Sequence, residues 1–342
     1  MSNTKLSYYI TCLISGMVEL GTIFLGINLN YSLIAIIGLA LSYQLGNIVR
    51  FFVTKSIARY QTFFSILLLV LSGFCSFVCL SDYLRYIILF ATLMIFSTLL
   101  QNVRSAAQGN IPRWQKRSCR VIGFVLSAIF YFGGLPIVFF LSIILLVYSI
   151  ILNHYYYDHW ITNWVSGKYG KRVCWAMVTH QAHYFVYNYV MLFVTMKYYQ
   201  SPFISTIWFA ANWIPYTITE PLVHKLKWDK WLIISICAHL FNAFVIFGMY
   251  WFYNKSMIIT LSLWVLTGFG GGNVFCIKKA LSKKTVFNKD VWSFSEQIGH
   301  ILGVGIALVI VSFCIDERYT LIMSSVLALL TIPIIKLSSD HK

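Results

Sequence analysis

The chain has 342 residues, of which 59% are hydrophobic, 18% aromatic and only 11% charged, with a mean hydropathy of +0.76. A soluble domain of this length carries roughly 25% charged residues, so most of the surface faces lipid and no room is left for a separate soluble domain. The formal charge of +16 would mark a nucleic-acid binder only if the basic residues shared one surface, and they are instead scattered through the loops.

A hydrocarbon core of ~30 Å needs about 20 apolar residues per helix. Runs of that kind predict spans at 7 to 28, 32 to 53, 60 to 80, 85 to 107, 118 to 134, 136 to 154, 173 to 196, 203 to 223, 231 to 252, 256 to 278, 291 to 314 and 318 to 336. The first run begins near Ser7 without a basic leader or a small-residue cleavage site, which predicts a retained helix. The fifth and sixth spans come from one apolar stretch, divided at Gly133-Gly134-Leu135-Pro136, where glycine and proline supply turn chemistry. All eight cysteines lie in or beside apolar runs without Cys-x-x-Cys spacing, the pattern of reduced core residues rather than of disulfides or structural zinc.

Alternating the loops between two sides tests the count, because Lys and Arg accumulate on the cytoplasmic side. With the N-terminus inside, 22 of the 26 basic residues fall on that side, and only Arg85, Lys197, Lys255 and Arg318 fall outside. The expectation is an all-α integral membrane protein of the cytoplasmic membrane, multi-pass and monomeric, with both termini cytoplasmic. The stretch from Tyr155 to Arg172 is the longest polar interruption. It divides the chain into a six-helix bundle at 1–154, an inter-bundle loop at 155–172 and a second six-helix bundle at 173–342.

The halves echo one another. Phe52-Val53-Thr54-Lys55 follows the second span as Leu222-Val223-His224-Lys225 follows the eighth, and Asn102-Val103-Arg104 after the fourth parallels Asn273-Val274 in the tenth. Parallel six-helix repeats are one way to build a transporter around a midplane site. Over essentially its full length the chain resembles the major facilitator superfamily. Pro221-Leu222-Val223-His224-Lys225-Leu226-Lys227-Trp228-Asp229-Lys230 is similar to that family's Gly-x-Leu-x-Asp-Arg-x-Gly-Arg-Arg loop, with Glu220 for the glycine and His224 for the aspartate. Arg104-Ser-Ala-Ala-Gln108-Gly109 resembles the fourth-helix motif of proton-driven exporters with one residue inserted. The resemblance implies two bundles rocking about a central cavity.

Ionisable groups inside a bilayer are costly unless they face a cavity or a partner, so the few present are the functional candidates. Glu19 lies ~18 Å along the first helix at 1.5 Å per residue, near the midplane. Ser15, Glu19, Thr22 and Gly26 recur at helical spacing, and a carboxyl there is suited to proton coupling. The seventh span carries His180, His183, Tyr184, Tyr187, Asn188 and Met191 at intervals of three and four, the stripe expected to line a substrate cavity. Glu296 and His300, four apart, suggest an inward gate or proton relay, with Ser295, Gly299, Gly303 and Ala307 as a small-residue seam on the opposite side. Gln44, Asn47, Asn212 and His239 are further candidates for the substrate site, Asn242 and Asn273 are functional candidates without an assigned role, and Trp208, Trp213 and Trp264 are candidates for contact with an aromatic substrate.

No Gly-x-x-x-x-Gly-Lys-Ser/Thr phosphate loop occurs, which excludes an ATP-driven pump within this chain. The histidines lack the paired boxes of membrane di-iron oxygenases. A metal cargo on Met191, Met196 and the two histidines is set aside because methionine at helical spacing is ordinarily core. The expected function is a secondary transporter of a small organic solute, without cofactor or bound metal. Proton-coupled export of a drug, siderophore or metabolite is favoured over import, and the alternative is a membrane-embedded transferase or flippase acting on a lipid-linked substrate. An enzyme is not expected.

Overall fold

In lipid the backbone must satisfy its own hydrogen bonds, so apolar runs of this length fold as helices. The computed structural model describes residues 3–49, 51, 81–106, 111, 113–131, 135–152, 173–225, 230–282, 289–313 and 316–340. The helices among them are α1 (Asn3–Asn28), α2 (Leu33–Val49), α3 (Asp82–Ala106), α4 (Arg113–Tyr131), α5 (Leu135–Leu152), α6 (Trp175–Phe185), α7 (Asn188–Tyr199), α8 (Pro202–Lys225), α9 (Trp231–Phe252), α10 (Met257–Gly271), α11 (Val274–Ser282), α12 (Lys289–Phe313) and α13 (Tyr319–Asp340). Each predicted span coincides with a helix or a consecutive pair, except 60 to 80, which lies outside the described residues, as do the 155–172 loop and positions 107–110 and 226–229 of the two resemblance motifs.

Among the described residues, six stretches are long and apolar enough to cross a membrane: Asn3–Asn28, Asp82–Arg104, Trp231–Phe252, Met257–Leu281, Val291–Phe313 and Tyr319–Ser338. Large apolar side chains such as Ile151, Phe244 and Phe313 point outward, as a lipid-facing surface requires. Cys12, Cys119, Cys174, Cys237 and Cys276 are free thiols.

The described residues form two compact units. One contains α1 to α5 together with Ser201–Thr206 at the start of α8, and the other contains the rest of the chain from α6 onward. Within the first, α1 packs against α4 and α5; within the second, α6 packs against α12 and α13. The first span therefore meets the fifth and sixth as the seventh meets the eleventh and twelfth.

The turns repeat as well. Asn30 after α1 and Gln200 after α7 both take a left-handed conformation, with φ of 56° and 49°, closing the helix C-terminus. The hydroxyls of Ser32, Ser81, Ser201 and Ser256 accept backbone N–H groups three residues on, at 3.3 to 3.4 Å. These serines stand at the starts of the second, fourth, eighth and tenth spans, matching positions of the two halves, and supply the orphan donors of a helix N-terminus with partners.

Both units are held by glycine crossings. A Cβ on Gly16 would lie 2.1 Å from the Arg120 carbonyl, and one on Gly123 would lie 2.1 Å from that of Leu13, so α1 and α4 touch backbone to backbone. Gly299 and Gly303 on α12 would each meet an α6 carbonyl, of Val178 and Ala182, at 2.5 Å. The expected seam on the eleventh span is thus the α6–α12 contact, with the Ser295 hydroxyl accepting the Cys174 N–H at 3.0 Å.

Two predicted spans are not continuous. The seventh is interrupted at Val186 and Tyr187, between α6 and α7, and the tenth at Gly272 and Asn273, between α10 and α11. At the second break the Asn273 N–H reaches the Gly270 carbonyl at 2.9 Å, three residues back rather than four. Gly270, Gly271 and Gly272 permit it: a Cβ would strike Asn242 at the first, Tyr216 at the second and Thr219 at the third.

Candidate functional site

In the second unit, α6 and α9 bring together His180, His183 and His239, all at most 1% exposed. One ring nitrogen of each lies within 4.8 Å of the others, and ring centroids are 5.1 to 5.7 Å apart. Spacing explains the first two, which stand three apart on one face of α6. His239 comes from α9, which packs in the same unit, and its Nδ1 is 2.7 Å from the Ser235 carbonyl one turn earlier. A carbonyl only accepts, so that nitrogen carries the proton and His239 Nε2 presents a lone pair. His180 Nδ1 lies 3.0 Å from it, so one proton shared between facing nitrogens closes the contact.

The surroundings are polar and incompletely satisfied. Tyr184 donates to the Thr267 carbonyl at 2.9 Å and Tyr187 to the Thr267 hydroxyl at 2.9 Å. Asn242 donates to the Tyr184 hydroxyl and lies 3.4 Å from His183 Nε2. Asn273, at the break before α11, donates to the Ser235 carbonyl at 3.0 Å and lies 3.0 Å from His239 Nδ1. His183 Nδ1, Asn242 Oδ1 and Asn273 Oδ1 are buried without a directed hydrogen bond, although the carbonyls of Thr179 and His180 lie near the His183 ring. Each such atom costs about 1–3 kcal/mol, and one within the histidine trio with two more on neighbouring amides mark a place shaped for something else. The residues present fit a metal ion: three imidazole nitrogen donors, with no acid or thiol among the described members of the cluster.

The other residues of the seventh-span stripe join a network beside the trio. Asn212 of α8 donates to the Trp264 carbonyl at 2.6 Å and to the Thr267 hydroxyl at 3.0 Å, and the Trp264 indole donates to Asn188 Oδ1 at 3.1 Å. Side chains thereby occupy backbone acceptors of α10 just before its break, the environment in which interrupted helices are tolerated within a membrane.

Glu19 belongs to the first unit. Its side chain is 3% exposed and paired with Arg120 of α4; Nε donates to Oε2 at 3.0 Å and the terminal Nη2 reaches the same oxygen. The glycine crossing brings them together, since Gly16 rests on the Arg120 backbone one turn before Glu19. The residues expected to share its face part company: Ser15 bonds Tyr43 of α2 at 3.1 Å, and Thr22 donates to its own helix. Gln44 and Asn47 are tied together at 2.9 Å, and Ser97 of α3 donates to Asn47 at 2.6 Å, an interhelical network.

Glu296 and His300 have separate partners. Glu296 forms an ion pair with Lys278 of α11, while His300 Nε2 lies 3.2 Å from Gln181 and its ring stacks 4.0 Å from that of Phe185. Sequence spacing had joined them as neighbours; the close α12 crossing turns His300 toward α6 instead. Sequence reasoning missed Arg120 as the partner of Glu19, since it counted only as loop charge. It also missed both helix breaks, although three consecutive glycines inside a span were a legible sign of the second.

No family model matches the chain, and no curated protein does either. Solved structures share the fold, among them two of bacterial transporters. A crystal structure of a bacterial homologue of the iron transporter ferroportin in an outward-facing state aligns with a TM-score of 0.65 at 12% identity over 100% of both chains. A second, of a bacterial ferroportin homologue in the outward-facing state with soaked iron, aligns with a TM-score of 0.61 at 13% identity over 99% of both. The chain therefore shares the fold of these two membrane transporters.

Proposed function

We propose that the chain is a secondary active transporter of a divalent first-row transition metal. It works by alternating access of its two units in the cytoplasmic membrane, coupled to protons through Glu19. The observation that carries the reading is the buried trio His180, His183 and His239, with one nitrogen from each converging. Neutral imidazoles suit Fe²⁺, Co²⁺, Ni²⁺, Zn²⁺ and their neighbours, and are poor ligands for Mg²⁺ or Ca²⁺. The iron transporter homologues that share the fold favour the same cargo, in place of the organic solute suggested by composition.

The steps this reading requires use residues at hand. A metal entering the cluster would take the His239 Nε2 lone pair and, once the His180 proton moves from Nδ1 to Nε2 of the same ring, the His180 Nδ1 lone pair, while His183 would supply a third nitrogen. Glu19 and Arg120 form a neutral pair; protonating the carboxylate dissolves the pair and frees the guanidinium, so proton uptake and release change what α1 and α4 hold together. The pairing of Glu296 with Lys278 supports a gating contact between α12 and α11 rather than a relay with His300.

A small organic solute is the second reading, favoured by the phenols, amides and indole of Tyr184, Tyr187, Asn188, Asn212 and Trp264 in the same unit. Proteoliposomes containing a metal-sensitive dye, with an imposed pH gradient, separate the two. Metal reading predicts gradient-dependent flux of Fe²⁺, Co²⁺ or Mn²⁺ that His183→Ala and His239→Ala abolish. Flux no greater than in empty vesicles for every metal, or full flux in both variants, overturns it.

A further inference from the structure

We infer that Cys12 of α1 and Cys119 of α4 are a modification site, a thiol pair that closes reversibly to a disulfide by exchange with a small-molecule disulfide. Cys119 is the thiol the reagent meets, and Cys12 is the one that resolves the mixed disulfide. The inference is independent of the metal-transport reading.

The two helices run parallel and in contact. Tyr9 donates to Gln115 at 2.6 Å before the glycine crossing, and the rings of Phe24 and Tyr131 meet at 5.8 Å beyond it. At the crossing, a Cβ built on Gly16 would lie 3.2 Å from Gly123 Cα, and one built on Gly123 would lie 3.1 Å from Gly16 Cα. Adding one carbon–carbon bond of ~1.5 Å sets the two Cα atoms no more than ~4.7 Å apart. Cys12 and Cys119 each stand four residues before their own glycine, one turn back on the same stripe and ~6 Å along the axis. Helices that cross at about 20–50° diverge by ~2–5 Å over that length. The cysteine Cα atoms therefore lie roughly 5–7 Å apart, and a disulfide spans about 4.4–6.8 Å.

Burial and packing agree with that geometry. Cys12, 4% exposed, forms a cluster with Tyr8 and Ile111, and Cys119 packs against the same cluster. Both are free thiols, Cys12 buried and Cys119 only partly so. Lys116, Arg117 and Arg120 flank Cys119 in the sequence. Glutathione disulfide is an anion, so charge as well as exposure brings it to Cys119 first.

The exchange takes two steps. The Cys119 thiolate attacks glutathione disulfide, breaking the small S–S bond, forming a mixed disulfide and releasing one glutathione. The Cys12 thiolate then attacks the Cys119 sulfur and expels the second. Two electrons pass from the protein to the reagent, and the two thiol protons end on two glutathione molecules. Excess reduced glutathione runs the same steps backward.

The test incubates the purified full-length protein in detergent with glutathione disulfide, quenches with acid, alkylates the remaining thiols and maps the proteolytic peptides by mass spectrometry. Treated wild type should yield a linked peptide containing Cys12 and Cys119, two hydrogens lighter than its reduced parts and abolished by dithiothreitol. Cys12→Ser should stop at glutathione held on Cys119, and Cys119→Ser should leave Cys12 unmodified. Both cysteines fully alkylated after treatment, glutathione remaining on Cys119 of the wild type, or either cysteine linked elsewhere would overturn the pair. Glutathione accumulating on Cys12 in Cys119→Ser would overturn the order of the two thiols. The linked peptide is read in the wild type, so a variant that fails to fold leaves the pair itself tested.

Discussion

Replacing Arg120 by Met leaves the Glu19 carboxylate, 3% exposed, inside the first unit without its counter-charge. Removing one partner of a buried pair costs about 3–5 kcal/mol. Because the Arg120 side chain keeps 23% of its exposure, some water reaches the pair and the lower end, about 3 kcal/mol, applies. The opposite change, Glu19→Gln, leaves a cation long enough to lean toward solvent and should cost roughly 1–2 kcal/mol. When both charges are removed, the remaining deficit is one of polar groups without full hydrogen bonding, again about 1–2 kcal/mol. The double variant should therefore be more stable than Arg120→Met alone, with a coupling energy of about 2–3 kcal/mol. Denaturant unfolding in detergent, read by tryptophan fluorescence over the four-member cycle, measures it. Simple additivity, with coupling under about 0.5 kcal/mol, would show that the pair does not form and would remove the structural basis for Glu19 as the coupling group.

In reconstituted vesicles, Glu19→Gln should lose uphill, pH-driven transport while retaining exchange of substrate down its own gradient; intact concentrative uptake would exclude Glu19 from coupling. Gly299→Ala should destabilise the protein by about 1–3 kcal/mol by forcing α12 off the Val178 carbonyl. Gly305→Ala, with nothing within 4 Å of the added methyl, should be neutral or stabilising by up to about 1 kcal/mol, and equal effects from the two would refute the crossing. Metal affinity should fall as pH is lowered because imidazole binds metal only when neutral; pH-independent titration would argue for other ligands. Away from the membrane core, Arg318 holds the Asp316 carboxyl below its usual 3.8. A lowered value stabilises above 3.8 and is lost as pH falls below it, so Arg318→Ala should flatten only the acid end of the stability profile, by less than about 1 kcal/mol.

Helix positions were legible because each apolar run had to be long enough for the bilayer and each loop had to collect charge, and the ends of α9 coincide with the predicted 231 to 252. The seventh-span stripe was legible for the same reason, since His180, His183 and Tyr184 share a face by the pitch of one helix. Glu296 and His300 show the boundary of such reasoning: their spacing permits contact, but the glycines of the α6–α12 crossing give His300 to Gln181 and Phe185, and α11 supplies Lys278 to Glu296. Gly270, Gly271 and Gly272 were visible as letters, yet their purpose depends on Asn242, Tyr216 and Thr219 arriving from other helices.

By itself the sequence determined that the chain enters lipid, where its helices run and which polar groups they carry, because hydropathy and helical period act over a few turns of one segment. Only the tertiary structure decided that Glu19 meets Arg120, 101 positions away, and that His239 joins two histidines 59 and 56 residues before it. Such partnerships follow from how closely helix backbones approach, a property of pairs of surfaces that no single segment encodes.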